Sequence, residues 1–254
     1  TGTLTQNEMT VSDLWLAGQQ FKVTGVGYAP EGTVAADGRP VSPAENPALQ
    51  QLLVASSLCN NARLVPPDDS NQHWTILGDP TEAAMLVAAR KGGIDLDAEV
   101  HRTPRLRELP FESNRKRMST VHLVRDATAP ASRVAYVKGA PKEVLDLCTR
   151  IFRDGTVQPL DEELRDGIMA ANDGYARNGL RVLAVALRWL TDDTHLPASL
   201  SAYTPELVEQ DLTFVGLIAM ADPPRSEVAA AVEECYHSGI RIIMVTGDYG
   251  LTAE

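Results

Sequence analysis

The chain has 254 residues, enough for one large domain or two ordinary ones. Its 23 lysines and arginines against 34 aspartates and glutamates give a net charge of −11, which disfavours nucleic acid and anionic membrane surfaces as bulk partners. Apolar residues make up 44% and charged residues 22%, close to soluble globular averages, so a disordered chain is excluded. No apolar run approaches the roughly 20 residues of a membrane-spanning helix.

The cysteines and histidines show no binding pattern. Cys59, Cys148 and Cys235 are odd in number and widely separated, and the five histidines are scattered as well. Neither set has the spacing of a disulfide framework or of a zinc site. We therefore predict a reducing compartment and no protein-bound metal at these residues.

The predicted elements up to residue 212 form a mixed α+β body. Residues 1–21 are predicted to be extended, and the glycine-punctuated run after them lacks the third glycine of a dinucleotide fingerprint. A helix is predicted to begin at Asp79, with Asp79 as the cap, Pro80 at the first helical position and Glu82 three residues after the cap. The other predicted helices cover 47–60, 141–148 and 162–178, and the other predicted strands cover 118–124, 133–138 and 181–187.

The pattern changes after residue 212. Residues 213–220 are a continuous apolar run, which is typical of a strand buried on both faces. A helix is predicted to follow the DPPR sequence at 222–225, and residues 240–245 are predicted to be a second buried strand. A strand, a helix and a strand with short links predict a parallel βαβ unit, and therefore a fragment of a second domain.

A basic cluster contrasts with the acidic whole. Its members are Arg102, Arg105, Arg107, Arg115, Lys116 and Arg117. It is either a solvated face or the local positive field that a polyphosphate ligand needs. Phe111, which lies within it, is either a core residue at a strand edge or a platform on which a base stacks.

Three short motifs also allow a structural and a functional interpretation. The Asp79–Glu82 segment is a helix start that can also present a carboxylate. Lys138-Gly139 ends a strand, where a ligand can approach the backbone and the ammonium can meet a phosphate or an adenine ring, or where the lysine is simply solvated. Thr246-Gly247-Asp248 follows a predicted buried strand, where open α/β sheets bind ligands.

The order of the motifs resembles P-type cation-transporting ATPases, in the calcium-pump-like branch, over essentially the whole chain. The matching motifs are TGTLT at 1–5, GDPTE at 78–82, Phe111 with RKRMS at 115–119, KGAP at 138–141, DPPR at 222–225 and TGD at 246–248. One departure is Lys142, because the family usually has Glu after the KGAP motif.

This resemblance implies a domain organisation. Residues 9–212 would be the nucleotide-binding domain, an antiparallel sheet with packed helices. Residues 1–8 and 213–254 would be fragments of a Rossmann-like, haloacid-dehalogenase-type phosphorylation domain. The phosphorylated Asp and the Lys after it would lie just upstream of Thr1.

The resemblance also implies roles for individual residues. Glu82 would accept a hydrogen bond from the adenine amino group, and Phe111 would stack on the ring. The residues implied to line the pocket or reach the phosphates are Lys116, Lys138, Gly139 and Arg181. The residues implied to surround the γ-phosphate and Mg²⁺ are Thr1, Thr246, Gly247 and Asp248.

The implied reaction is in-line phosphoryl transfer from MgATP to the Asp, with domain closure bringing the two together. The implied partners are the nucleotide and the phosphorylation, actuator and transmembrane domains of the same pump, without nucleic acid or direct membrane contact. The chain would be a cytoplasmic domain of an integral protein of the plasma (inner) membrane. Alone, it would bind ATP without turnover, and the transported ion is not encoded in it.

Two other functions are compatible with these residues. A soluble phosphohydrolase of the haloacid-dehalogenase superfamily would use the body as a substrate cap and would show no adenine preference. A non-catalytic interaction module would bind an acidic partner through Arg115 and Arg117, with Phe111 and Glu82 irrelevant.

Overall fold

A computed structural model describes residues 4–69, 71–125, 132–153, 155–190, 197 and 199–243. The strands over these residues are β1 Thr10–Leu16, β2 Gln19–Val23, β3 Val34–Ala36, β4 Arg39–Pro40, β5 Arg63–Val65, β6 Thr75–Leu77, β7 Arg105–Glu112, β8 Arg117–Val124, β9 Ser132–Gly139, β10 Cys148–Arg153, β11 Thr156–Pro159, β12 Arg181–Leu190 and β13 Leu212–Ala221. The α-helices are α1 Pro47–Leu58, α2 Pro80–Lys91, α3 Leu96–Arg102, α4 Pro141–Leu145, α5 Glu162–Arg177, α6 Pro205–Val208 and α7 Val228–His237.

One large sheet organises the described chain. Its main path runs β4-β3-β2-β1-β13-β12-β9-β8-β7, and the neighbours along this path pair antiparallel. β10 pairs in parallel with the first residues of β13, and β11 pairs with β10. β5 and β6 form a separate two-stranded sheet. The prediction of an antiparallel sheet with packed helices is confirmed.

Helices cover both faces of this sheet. Alternate residues of β12 show the two layers, because Val185 and Leu187 belong to the core under α1 and α2, whereas Ala184 and Ala186 belong to the core under α4 and α5. This alternation follows from the two-residue period of a strand. The sheet is therefore the middle layer, with apolar packing above and below it.

The prediction of a parallel βαβ unit at the C-terminal end is corrected at its first strand. β13 is buried along nearly its whole length, as expected, but it pairs antiparallel with β1 and with β12 in the middle of the large sheet. A continuous apolar run indicates burial on both faces, which an antiparallel strand between two helical layers also has. The strand crosses the predicted boundary between residues 212 and 213.

The rest of the predicted C-terminal unit is only partly described. α7 forms where a helix was expected, and none of its residues is buried by the described part of the chain. Residues 240–243 are exposed and do not form a strand, so the second buried strand is not seen over these four residues. Residues 244–254 lie outside the described ranges.

Candidate functional site

Four of the predicted site residues lie outside the described part of the chain. These are Thr1, Thr246, Gly247 and Asp248. The remaining six are carried by the strands β7, β9 and β12, by the turn between β7 and β8, and by the first turn of α2.

The first turn of α2 presents Glu82. Asp79 caps the helix through its Oδ1 atom, which accepts hydrogen bonds from the main-chain N–H groups of Thr81 (2.7 Å) and Glu82 (3.2 Å). Pro80 occupies the first helical position, where its missing N–H costs nothing. The start of the helix is therefore fixed by its own sequence, and the Glu82 carboxylate leaves it at a defined point.

Lys138 lies against Glu82 at the end of β9. Its Nζ atom is 2.6 Å from Oε1 of Glu82, and the lysine is only 5% exposed. The other carboxylate oxygen, Oε2, accepts a hydrogen bond from the main-chain N–H of Asn61 at 2.9 Å. A buried ammonium and carboxylate are tolerated when they are paired and hydrogen-bonded. These contacts hold the carboxylate from two sides.

Gly139 follows Lys138 and permits a close main-chain contact. A Cβ atom at this position would lie 2.5 Å from the carbonyl oxygen of Lys116 and 2.5 Å from Cβ of Arg117. The next residue, Ala140, donates its N–H to the same Lys116 carbonyl at 2.9 Å. A side chain at 139 would therefore push the turn between β7 and β8 away from β9.

Lys116 ends the turn between β7 and β8 in the left-handed region, with φ at 50°. Its Nζ atom is 2.6 Å from Oε1 of Glu143 on α4, and this hydrogen bond lowers the pKa of the Glu143 carboxyl. Lys142, the departure from the family pattern, pairs instead with Asp146 at 2.7 Å on the exposed side of α4. The carboxylate that meets Lys116 therefore comes from the position after Lys142.

Phe111 projects from the end of β7 with 62% of its surface exposed. The register between β7 and β8 shifts between Leu109 and Glu112, so the ring lies in an irregular part of the strand pair. Of the two interpretations open for this residue, burial in the core is therefore wrong. An exposed aromatic face remains available for stacking.

Arg181 is the first residue of β12, and it is linked to α2. Its Nη1 atom donates a hydrogen bond to Oγ1 of Thr81 at 3.1 Å, and its side chain is exposed. Arg181, Glu82, Lys138 and Gly139 are thus connected by contacts around the start of α2. Gly139 in turn contacts the turn that carries Lys116, and Phe111 precedes that turn.

The basic cluster is not a free positive surface. Arg115 and Arg117 both bind the buried carboxylate of Glu209, each with a contact of 2.6 Å. Arg102 pairs with Glu99 and Arg105 pairs with Glu108. Arg115 also pairs with Glu112 at 3.2 Å, so two carboxylates balance the two guanidinium charges, and the interpretation of Arg115 and Arg117 as a patch that attracts an anion is corrected. Glu209 is the carboxylate that Arg115 and Arg117 share. That partner lies more than 90 residues away in sequence, so the local charge pattern did not reveal it.

Asn61 and Glu209 are the residues that the sequence did not single out. Asn61 holds Glu82 through a main-chain N–H, which any residue type could supply. Its side-chain amide donates a hydrogen bond to Glu108 and accepts one from Arg105. Glu209 has no motif around it, and only the fold brings it behind the β7–β8 turn. Neither residue left a signal in the pattern of the chain.

A cavity of about 500 Å³ lies beside Asn61, and Asn60, Asn61 and Arg105 form part of its wall. His122 lines it as well and is buried, and this burial lowers its pKa to about 4. Burial likewise raises the pKa of the Cys59 thiol, an effect that nearby Lys138 opposes. Both groups are thus neutral near pH 7.

Two structural features are missing from the residues that the structure describes. They contain no group of three or more His, Cys, Asp or Glu side chains arranged to hold a metal ion. They also contain no helix that is long and apolar enough to cross a membrane.

Comparison with known proteins finds one family model, which describes the P-type ATPase cytoplasmic domain N and matches residues 48–227. Over the whole chain, a calcium-transporting ATPase of Bacillus subtilis is 36% identical, and the match covers 27% of that protein. A probable cation-transporting ATPase F of Mycobacterium bovis is 38% identical over 26% of its length. Calcium-transporting ATPase 1 of Lactococcus lactis is 35% identical over 25% of its length. The chain spans about a quarter of these curated relatives.

Proposed function

The chain belongs to the P-type ATPase family, as a cytoplasmic domain N, and on that premise we propose that it binds ATP for a cation pump. The relatives are named as calcium- or cation-transporting ATPases, which supports cation transport as the work of the whole protein. In that protein, MgATP bound here would transfer its γ-phosphoryl group in line to an aspartate of a phosphorylation domain. The transporting domains would be its partners.

One observation carries the proposal for this chain, the 2.6 Å contact between Lys138 and Glu82. Glu82 would be the acceptor for the adenine amino group, and Lys138 would be the cation that meets the ring or the phosphates. The fold brings these two side chains together although they are 56 residues apart in sequence. Each carboxylate oxygen has two lone pairs, so Glu82 retains acceptor capacity after its contacts with Lys138 and Asn61. The adenine amino group would use that capacity.

The neighbouring residues fit the other parts of a nucleotide. Phe111 offers an exposed ring to the base, and base stacking on an aromatic ring contributes roughly 1–3 kcal/mol. Lys116 and Arg181 would provide positive charge towards the phosphates, and Gly139 keeps the backbone clear of a side chain. Mg²⁺ would enter with the nucleotide. Thr1, Thr246, Gly247 and Asp248 would act at the phosphorylation site.

Isothermal titration with ATP tests this proposal. We expect measurable binding by the chain and about a tenfold loss of affinity in Phe111→Ala, because the stacking contact is removed. Val157→Ala is the matched control, since Val157 is also an exposed apolar residue on a strand, but on β11. It should bind ATP as the unmodified chain does.

Competition separates the proposal from a substrate cap. ADP should displace ATP far better than inorganic phosphate does, because the site recognises the base and the sugar-linked phosphates. Equal competition by phosphate would favour the cap of a phosphohydrolase. Unchanged ATP affinity in both Phe111→Ala and Lys138→Met would contradict the site assignment itself.

A further inference from the structure

A buried carboxylate, Glu209, lies behind the turn that joins β7 to β8. The residue is 2% exposed and follows α6. Its Oε1 and Oε2 atoms accept hydrogen bonds from Nη1 of Arg115 at 2.6 and 2.8 Å. Oε2 also accepts from Nε of Arg117 at 2.6 Å, and Oε1 accepts from Oγ of Ser119 at 2.8 Å. Three side chains of the hairpin thus converge on one carboxylate.

The two arginines that bind Glu209 also form hydrogen bonds with the main chain of the hairpin. Nη2 of Arg115 donates to the carbonyl oxygen of Pro110 at 2.6 Å, and Pro110 immediately precedes Phe111. Nη1 of Arg117 donates to the carbonyl oxygen of Arg115 at 3.0 Å. Lys116 lies between the two arginines in sequence. The main chain is therefore held directly before Phe111, at Pro110, and directly before Lys116, at Arg115.

The hairpin needs such an anchor because its own packing is weak at the functional end. The Phe111 ring is largely exposed, so few apolar contacts fix it, and the strand pairing is irregular between Leu109 and Glu112. An exposed ring keeps its position only if the main chain beneath it is held. A rigid platform also loses less conformational entropy when a base stacks on it.

We propose that Glu209 is a positioning residue for the nucleotide, because it fixes the main chain that carries Phe111 and Lys116. This inference rests on the proposed function. Buried ion pairs are often replaceable without loss of stability, but they can specify one local arrangement. Glu209 therefore acts on nucleotide affinity mainly through Phe111 and to a smaller extent through Lys116, without touching the nucleotide.

A double-mutant cycle with ATP as the ligand tests the inference. Glu209→Gln keeps the size of the side chain and removes its charge, and we expect ATP affinity to fall about fivefold to tenfold. In the Phe111→Ala background the same substitution should change affinity less than about twofold, because both changes remove one contact. Hydrogen exchange of amides 111–117 should become faster in Glu209→Gln.

Two further variants distinguish a loss of positioning from a general loss of stability. Arg115→Lys retains a cation beside Glu209 and removes the second arm that binds Pro110, so it should also weaken ATP. Asp13→Asn is the matched control, since Asp13 is another buried carboxylate, paired with Lys22 at 2.5 Å between β1 and β2. It should lower the melting temperature and leave ATP affinity within about twofold.

The possible results distinguish a failure of the positioning role from a failure of the proposed function. If the unmodified chain binds ATP and Glu209→Gln binds it equally well, the positioning role is wrong and the proposed function stands. Losses of affinity that are additive with Phe111→Ala, or equal to that of Asp13→Asn, overturn the positioning role as well. If the unmodified chain binds no ATP, the proposed function and this inference both fail.

Discussion

At the scale of single residues, the contacts of Glu82 fix the direction in which its carboxylate can accept hydrogen bonds. Glu82 is held by Lys138 and by the main-chain N–H of Asn61, so its carboxylate has a fixed orientation before any ligand arrives. Breaking a buried pair on one side leaves an uncompensated charge, whereas a pair that stays intact mainly selects one geometry. Glu82 can therefore present its remaining lone pairs in one direction without reorganisation.

His122 gives a prediction for the pH dependence of stability. Nδ1 is 2.9 Å from the carbonyl oxygen of Thr103, and Nε2 is 2.9 Å from Oγ1 of Thr120. The ring is 1% exposed, and burial lowers its pKa from 6.5 to about 4. The unfolded chain binds the proton more readily than the folded chain in this window, so stability falls as the pH drops from 6.5 to 4.

The size of this effect follows from the shift in pKa. It corresponds to about 3 kcal/mol of unfolding free energy, fully present above pH 6.5 and lost towards pH 4. Urea unfolding of the unmodified chain, His122→Gln and His101→Gln at several pH values measures it. His101 is an exposed histidine on α3 and serves as the control. A His122→Gln profile parallel to that of the unmodified chain would contradict this account.

At the scale of elements, α2 was the easiest helix to predict. The Asp79 cap, Pro80 at the first position and the two glycines after Lys91 are local signals, and the structure gives Pro80–Lys91. The strands at 118–124 and 133–138 were also found, and each is one or two residues longer in the structure. The bounds of α2 are predictable because the capping residues that mark its two ends are its neighbours in sequence.

The cap of α2 supports a prediction about the site as well as about stability. Asp79→Ala should lower the unfolding free energy by about 1 kcal/mol, because two N–H groups of the first turn lose their acceptor. Asp95→Ala is the matched control, since Asp95 caps α3 in the same way. Both variants should lose similar stability in urea unfolding.

The two caps should differ in ATP binding. Only Asp79→Ala should weaken ATP measurably in a titration, because the first turn of α2 carries Glu82, whereas α3 carries none of the proposed nucleotide-binding residues. Equal effects of the two variants on ATP affinity would argue against a site at the start of α2.

At the scale of the whole molecule, β13 determines how the parts are joined. It pairs with β1 from the start of the chain, with β12 from the middle and with β10 in parallel. Thr5 and Asp222 lie beside each other, with Oγ1 of Thr5 donating to Oδ2 of Asp222 at 2.6 Å. The segments before β1 and after β13 therefore leave the sheet side by side.

This arrangement predicts the result of shortening the chain. A chain of residues 4–212 loses nearly all of β13, and it should remain unfolded by circular dichroism because the middle of the sheet is missing. A chain of residues 4–227 keeps β13 and should show a cooperative thermal transition. Cooperative unfolding of the shorter chain would show that β13 is dispensable to the body.

The sequence predicted the helices α1, α2, α4, α5 and α7, the strands β8, β9, β12 and β13, and the motifs around Glu82 and Lys138. It did not predict the short helices α3 and α6 or the strands β3–β7, β10 and β11, which have no comparable local pattern. It did not predict the pairing of β13, since an apolar run is the same in a parallel and an antiparallel strand between two layers. It also did not predict the pairing of Arg115 and Arg117 with Glu209, because more than 90 residues separate these positions. Long-range pairing is a property of the fold.

The central claim is that ATP binds at the start of α2 between Lys138 and Phe111. The most direct test is to follow amide signals by nuclear magnetic resonance while ATP is added to the unmodified chain. We expect the largest shifts at residues 79, 81 and 82, at 111–117 and at 138–140, with the β10–β11 hairpin unaffected. Shifts centred on β10–β11 or on the C-terminal half of α5, or no shifts at millimolar ATP, would contradict the claim.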